Sequence, residues 1–189
     1  MTGPPSVEEI LRWGYDEEIR LAEKDQDHIL HSMQYVPVLI KLVNDPNCPK
    51  DYFAFSILCD FTREMFLNRN EKEIRDLKKV RDRIVGGDNS EYVMKWADYV
   101  ERLYEYFYTL KPVGKEKARR MAQDLLVGPS RVAGKLSGPR LYNDVWEFKL
   151  GGQVNEYLYI NREDGSWTYS QFYPRNSRFK RLFRWFRVP

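Results

Sequence analysis

The sequence predicts an α+β fold: an N-terminal bundle of about six helices, a three-stranded antiparallel β-meander, and a basic amphipathic C-terminal segment. Three observations carry this reading. Apolar residues recur at helical spacing through the first two-thirds of the 189 residues, then switch to strict alternation near residue 128. Gly-Gly and Asp-Gly interrupt the alternating runs, as tight hairpins require. The stretch 174–189 holds six basic side chains and no acid. The corresponding division is 1–127 for the bundle, 128–174 for the meander and 175–189 for the tail.

The elements follow in order. Ser6 to Glu9 form a capping box ahead of Val7, Ile10 and Leu11, opening a helix expected to run to about Lys24. A second helix is expected from Asp27 through Val43, with Pro37 kinking or splitting it. "NDPNCPK" (44–50) is a loop. Residues 51–68 make an aromatic-rich third helix whose apolar positions nearly encircle it, placing it at the centre of the bundle. Asn70 opens a fourth, striped by Ile74, Leu77, Val80 and Ile84. Ser90 caps a fifth, with Val93, Trp96, Ala97, Val100, Leu103, Tyr104 and Phe107 on one side, and Pro112 ends it. A short sixth spans about Lys115 to Leu126. "VGPSRVAGKLSGPR" (127–140) is linker-like, with room for one short strand. Strands are expected at 141–150, 153–160 and 167–173. The stretch from Val36 to Phe61 resembles one helical hairpin of the HEAT type, although no second copy follows at a fixed period.

Composition narrows the function classes. No run of about 18 apolar residues is present, and the N-terminus lacks the basic and apolar regions of a signal peptide. Cys48 and Cys59 are too few for a disulfide framework, so a cytoplasmic protein is expected. Net charge is +3, yet six of the basic residues fall within 174–189, leaving the rest of the chain at −3. So local an excess points to an anionic partner.

Catalytic and cofactor signatures do not assemble. "GPSRVAGKLS" (128–137) has five residues where a phosphate loop has four, and Leu136 stands where that motif needs Ser or Thr; the segment reads as a connector. His28 and His31 share a helical face beside Asp27, but two ligands do not make a metal site. Neither cysteine has a nucleophile signature, and Cys59 reads as a small core residue. The acids of residues 15–27 interleave with Arg20 and Lys24 as a solvated face, with pairs such as Asp16 and Arg20. No cofactor and no metal are expected, and the chain reads as non-catalytic.

Binding signals are sharper. Alternation sets Val154, Leu158 and Ile160 on one face of their strand and Tyr157 and Tyr159 on the other. If Trp167, Tyr169 and Tyr173 align with the tyrosines, one face of the meander carries up to five aromatic rings. Such a face suits stacked bases or a protein hot spot, and the alternative makes it the core side. In the tail, Phe179, Leu182, Phe183 and Phe186 fall at i, i+3, i+4 and i+7, while Arg178, Lys180, Arg181, Arg184 and Arg187 take the other positions. That pattern suits an acidic protein, a nucleic acid or an anionic membrane surface; the alternative docks the phenylalanines on the chain's own core. The expected partner-binding set is Arg175, Arg178, Lys180, Arg181, Arg184, Trp185 and Arg187 with Tyr157, Tyr159, Trp167 and Tyr169. A helix leading into a meander that ends in arginines, residues 115–175, also resembles RelE-type ribonuclease toxins. That resemblance implies an alternative function in nucleic-acid processing. Those toxins begin with a strand, and no clear strand signal stands there in this chain.

Overall fold

The computed structural model describes residues 4–20, 32–109, 111–130, 135–151 and 155–172. Within them the fold is α+β, with six α-helices and one four-stranded antiparallel sheet.

Helix α1 (Val7–Tyr15) begins on the expected capping box: the Ser6 hydroxyl accepts from the Glu9 N–H at 3.2 Å, and the Glu9 carboxylate accepts from the Ser6 N–H at 2.6 Å. It stops well short of Lys24. Asp16 is extended, and its carboxylate accepts from the Glu18 N–H, so the helical Asp16–Arg20 pairing is not built. The Lys50 ammonium closes this helix end. It donates to the carbonyls of Trp13 (2.9 Å), Ile19 (2.6 Å) and Asp16, satisfying oxygens that a helix terminus leaves without a partner.

A 3₁₀ turn (Met33–Tyr35) feeds helix α2 (Val36–Asn44). Pro37 lies in the first turn of α2, where its missing N–H costs nothing. Residues 27–31 of the expected longer helix lie outside the described residues. Helix α3 (Asp51–Leu67) buries side chains on every side, from Ala54 and Phe55 to Phe66 and Leu67. Helix α4 (Glu71–Ile84) buries only Ile74 and Leu77, and helix α5 (Glu91–Tyr108) buries the stripe from Val93 to Phe107. Ser90 caps α5, its hydroxyl accepting from the Val93 N–H at 3.3 Å and donating to the Val43 carbonyl at 2.9 Å. Helix α6 (Lys115–Ala122) widens into a π-helical turn, Gln123–Val127, and ends at Gly128 with φ 67°.

The sheet has four strands, β1 (Leu136–Tyr142), β2 (Val145–Leu150), β3 (Asn155–Asn161) and β4 (Trp167–Phe172), in that spatial order. The expected three-stranded meander is corrected on one point. The alternating run 141–150 is two strands joined at Asn143 and Asp144, whose φ values of 42° and 65° make a primed two-residue turn. Asn and Asp adopt left-handed backbone more readily than other side-chain-bearing residues, and the linker-like segment before them supplies β1. Register places Phe148, Leu150, Leu158, Ile160 and Trp167 on the inner face, and all five are buried in the same core as the helices. The Trp146 indole donates to the Val113 carbonyl at 3.0 Å, and Val113 donates to the Arg162 carbonyl at 2.8 Å, tying the α5–α6 connection to the sheet.

Candidate functional site

The outer face of the sheet is built from two cross-strand rows. Arg140, Glu147, Tyr159 and Thr168 are register partners across β1 to β4, as are Ser137, Lys149, Tyr157 and Ser170. Ser137 and Arg140 are three apart and would ordinarily point to opposite faces. They share this face because β1 carries one extra residue between them, a bulge. Gly138 permits it: φ is 112°, and a Cβ there would lie 2.6 Å from the Glu147 carbonyl oxygen. Ser137, Gly138, Arg140, Glu147, Lys149 and Tyr157 line a shallow pocket of about 170 Å³.

Beside that pocket the rings of Tyr157 and Tyr159 lie parallel, 6.4 Å apart at an interplanar angle of 8°. The Lys149 ammonium sits 5.7 Å from the Tyr157 ring centre. Burial, and then the nearby Glu147 carboxylate, push the Tyr159 hydroxyl up to about 12, so it is a neutral donor at physiological pH. Tyr142, 55% exposed, stands at the β1 end of the same face.

Two expected members of this face belong elsewhere. Trp167 pairs with Ile160 and Tyr169 with Leu158, so both point inward. Trp167 is 3% exposed; it packs edge-on against Phe107 at 5.8 Å and lies under the Arg69 guanidinium at 5.4 Å. The aromatic face is therefore smaller than the alternation suggests. Which face β4 presents depends on the register set by the connection 162–166, and composition does not encode that. Arg175, Arg178, Lys180, Arg181, Arg184, Trp185 and Arg187 lie outside the described residues, as do His28, His31 and Tyr173.

A buried polar link joins this sheet to α3. Arg63, 4% exposed, contacts Asp60 (3.4 Å), Glu64 (3.3 Å) and Glu156 of β3 (3.4 Å). Tyr169 donates to the Glu156 carboxylate at 2.7 Å. The signal for it was present in the sequence: Glu156 falls in phase with Leu158 and Ile160, an acid on an otherwise apolar face. Burial pushes the Cys59 thiol far up, leaving no thiolate. Among the described residues no group of three or more His, Cys, Asp or Glu side chains is placed to hold a metal ion. None of the described helices is long and apolar enough to cross a membrane.

No family model matches the chain, and neither a search of curated proteins nor one of solved structures returns a match. The RelE-type resemblance gains nothing from the strand order, since among the described residues no strand precedes α6.

Proposed function

We propose that this chain is a non-catalytic, cytoplasmic interaction protein whose partner is single-stranded nucleic acid, held across the outer sheet face and by the basic segment 175–189. The observation that carries the reading is the parallel Tyr157–Tyr159 pair flanked by Lys149 and Arg140 on one side of a four-stranded sheet. Aromatic rings on an antiparallel sheet offer stacking that tolerates any base, worth roughly 1–3 kcal/mol per base. The six basic residues of 174–189 would supply phosphate contacts, which release counterions and therefore weaken with salt.

The test is fluorescence anisotropy of a labelled oligouridylate against the full chain, the Tyr157→Ala/Tyr159→Ala variant and a chain truncated after Pro174, at two salt concentrations. Loss of affinity in the tyrosine variant, and a flatter salt dependence in the truncation, support the proposal. Equal competition by polyglutamate, with no tyrosine effect, would transfer the reading to an acidic protein partner. Binding only to anionic vesicles would transfer it to a membrane surface. Cleavage of the oligonucleotide would restore the toxin-like enzyme.

A further inference from the structure

A second pocket, of about 510 Å³, opens on the helical side of the molecule where α3, α5 and the turn after the π-helical segment meet. Its wall is aromatic: Tyr52, Phe55 and Tyr92, with Phe55 and Tyr92 stacked at 4.9 Å. Tyr52 donates its hydroxyl to the Ser130 carbonyl at 3.0 Å, which fixes its ring before any ligand arrives. Pro129 closes one side, and Lys95, Asp98 and Arg102 of α5 supply the charged rim. The volume falls within the range of small-molecule sites, and polar and apolar surface share the lining about equally.

The rim decides the class of ligand. Asp98 and Arg102 are spaced i, i+4 on α5, the separation at which acid and base normally pair. They form no salt bridge. Arg102 instead gives its Nε and Nη2 to the Asp124 carboxylate, both at 3.3 Å. Tyr106 donates to the same carboxylate at 3.0 Å, holding it in place. Asp98 is thus left without an ion pair among the described residues, next to a guanidinium that keeps Nη1 available. Lys95 pairs with Glu91 at 2.7 Å and lies 5.6 Å from the Tyr92 ring centre, exposed contacts of the kind a ligand displaces readily. A purely anionic ligand would meet Asp98, and a purely cationic one would meet Arg102 and Lys95. We infer that the pocket binds a small zwitterion with an aromatic body, of the free aromatic amino acid class. Its ammonium engages Asp98, its carboxylate engages Arg102 and Lys95, and its ring lies against Tyr52 and Tyr92.

The experiment is calorimetric titration of the full chain with L-phenylalanine, phenethylamine and 3-phenylpropionate. The two analogues keep the ring and remove the carboxylate or the ammonium in turn. L-phenylalanine should bind one to one, and each analogue at least about tenfold more weakly, the loss of one charge-assisted contact. Asp98→Asn, an exposed change that leaves the core untouched, should weaken L-phenylalanine by a similar factor and leave phenylpropionate unchanged or tighter. Circular dichroism confirms that the variant is folded. No heat of binding at millimolar ligand, either analogue binding within tenfold of the amino acid, or indifference to Asp98→Asn would each overturn the assignment.

Discussion

At the scale of single residues, a buried polar contact lies within the helical core. The Trp96 indole donates to the Thr62 hydroxyl at 2.8 Å, and that hydroxyl donates to the Leu58 carbonyl at 2.8 Å, with Trp96 and Thr62 both fully buried. Thr62→Val keeps the shape and removes the acceptor, orphaning the indole N–H. The expected cost is about 1–3 kcal/mol in urea unfolding, whereas Thr62→Ser, which keeps the hydroxyl, should cost less. The sequence gives the apolar stripe around Trp96 directly, because helical period marks it. It does not announce that Thr62 faces inward, since a threonine within a helix more often reports solvent than core. The same limit applies to Trp167. Its identity and its strand are legible, but its face is set by the register of a loop that no local pattern encodes.

At the scale of elements, α3 and the sheet are joined through Arg63. Three carboxylates converge on this one guanidinium, so the two ways of breaking the link are unequal. Removing the cation, in Arg63→Met, leaves the buried Glu156 carboxylate without its guanidinium, beside the partly exposed acids Asp60 and Glu64. The expected cost is about 3–5 kcal/mol, the range for stripping one partner from a buried ion pair. Glu156→Gln leaves Arg63 with two acids and the Leu126 carbonyl, so it should cost clearly less. Chemical denaturation of the two variants tests the order, and equal losses would show that Arg63 is not the hub. The elements themselves were largely readable from period, caps and turn residues. α1 is shorter than its apolar pattern predicts: Asp16 is extended, and Lys50, far away in sequence, donates to the Trp13, Asp16 and Ile19 carbonyls there, a contact no local pattern announces. β1 is hidden in the sequence because an Asn-Asp turn inside an alternating run looks like continued alternation. The outer-face tyrosines were visible as an alternating pair. The bulge that brings Arg140 beside them requires a positive φ at Gly138, one glycine among the 11 in the chain.

For the whole molecule, the tyrosines set the alkaline limit of stability. Tyr15 is held up to about 12, chiefly by its hydrogen bond to Asp45, and Tyr159 to about 12, chiefly by burial. Burial drives Tyr99, Tyr106 and Tyr169 higher still. A phenol whose folded pKa exceeds its unfolded value of about 10 binds its proton more tightly in the native state. Its contribution is fully present below pH ~10 and is lost as pH rises from there towards the folded value. Urea midpoints should therefore be flat from pH 7 to about 8, begin to fall near pH ~8.5 as the buried thiols of Cys48 and Cys59 ionise in the unfolded chain, and fall steeply above pH ~10. Tyr159→Phe should make that fall shallower, because one linked proton is gone. A midpoint that stays flat to pH 12 would show that these hydroxyls ionise without strain in the folded protein.

The two thiols of the chain, Cys48 and Cys59, are both buried, with their ionisation suppressed by the apolar surroundings. A maleimide dye reacts with an exposed thiolate and would therefore pass over both in the native protein. A single cysteine introduced at an exposed site such as Tyr142, on the outer sheet face, becomes the one position that takes the label. Wild-type sequence thus comes ready for site-specific fluorescence. The label itself would report whether an oligonucleotide crosses that face, and delayed labelling of the native thiols would time the opening of the core around α3.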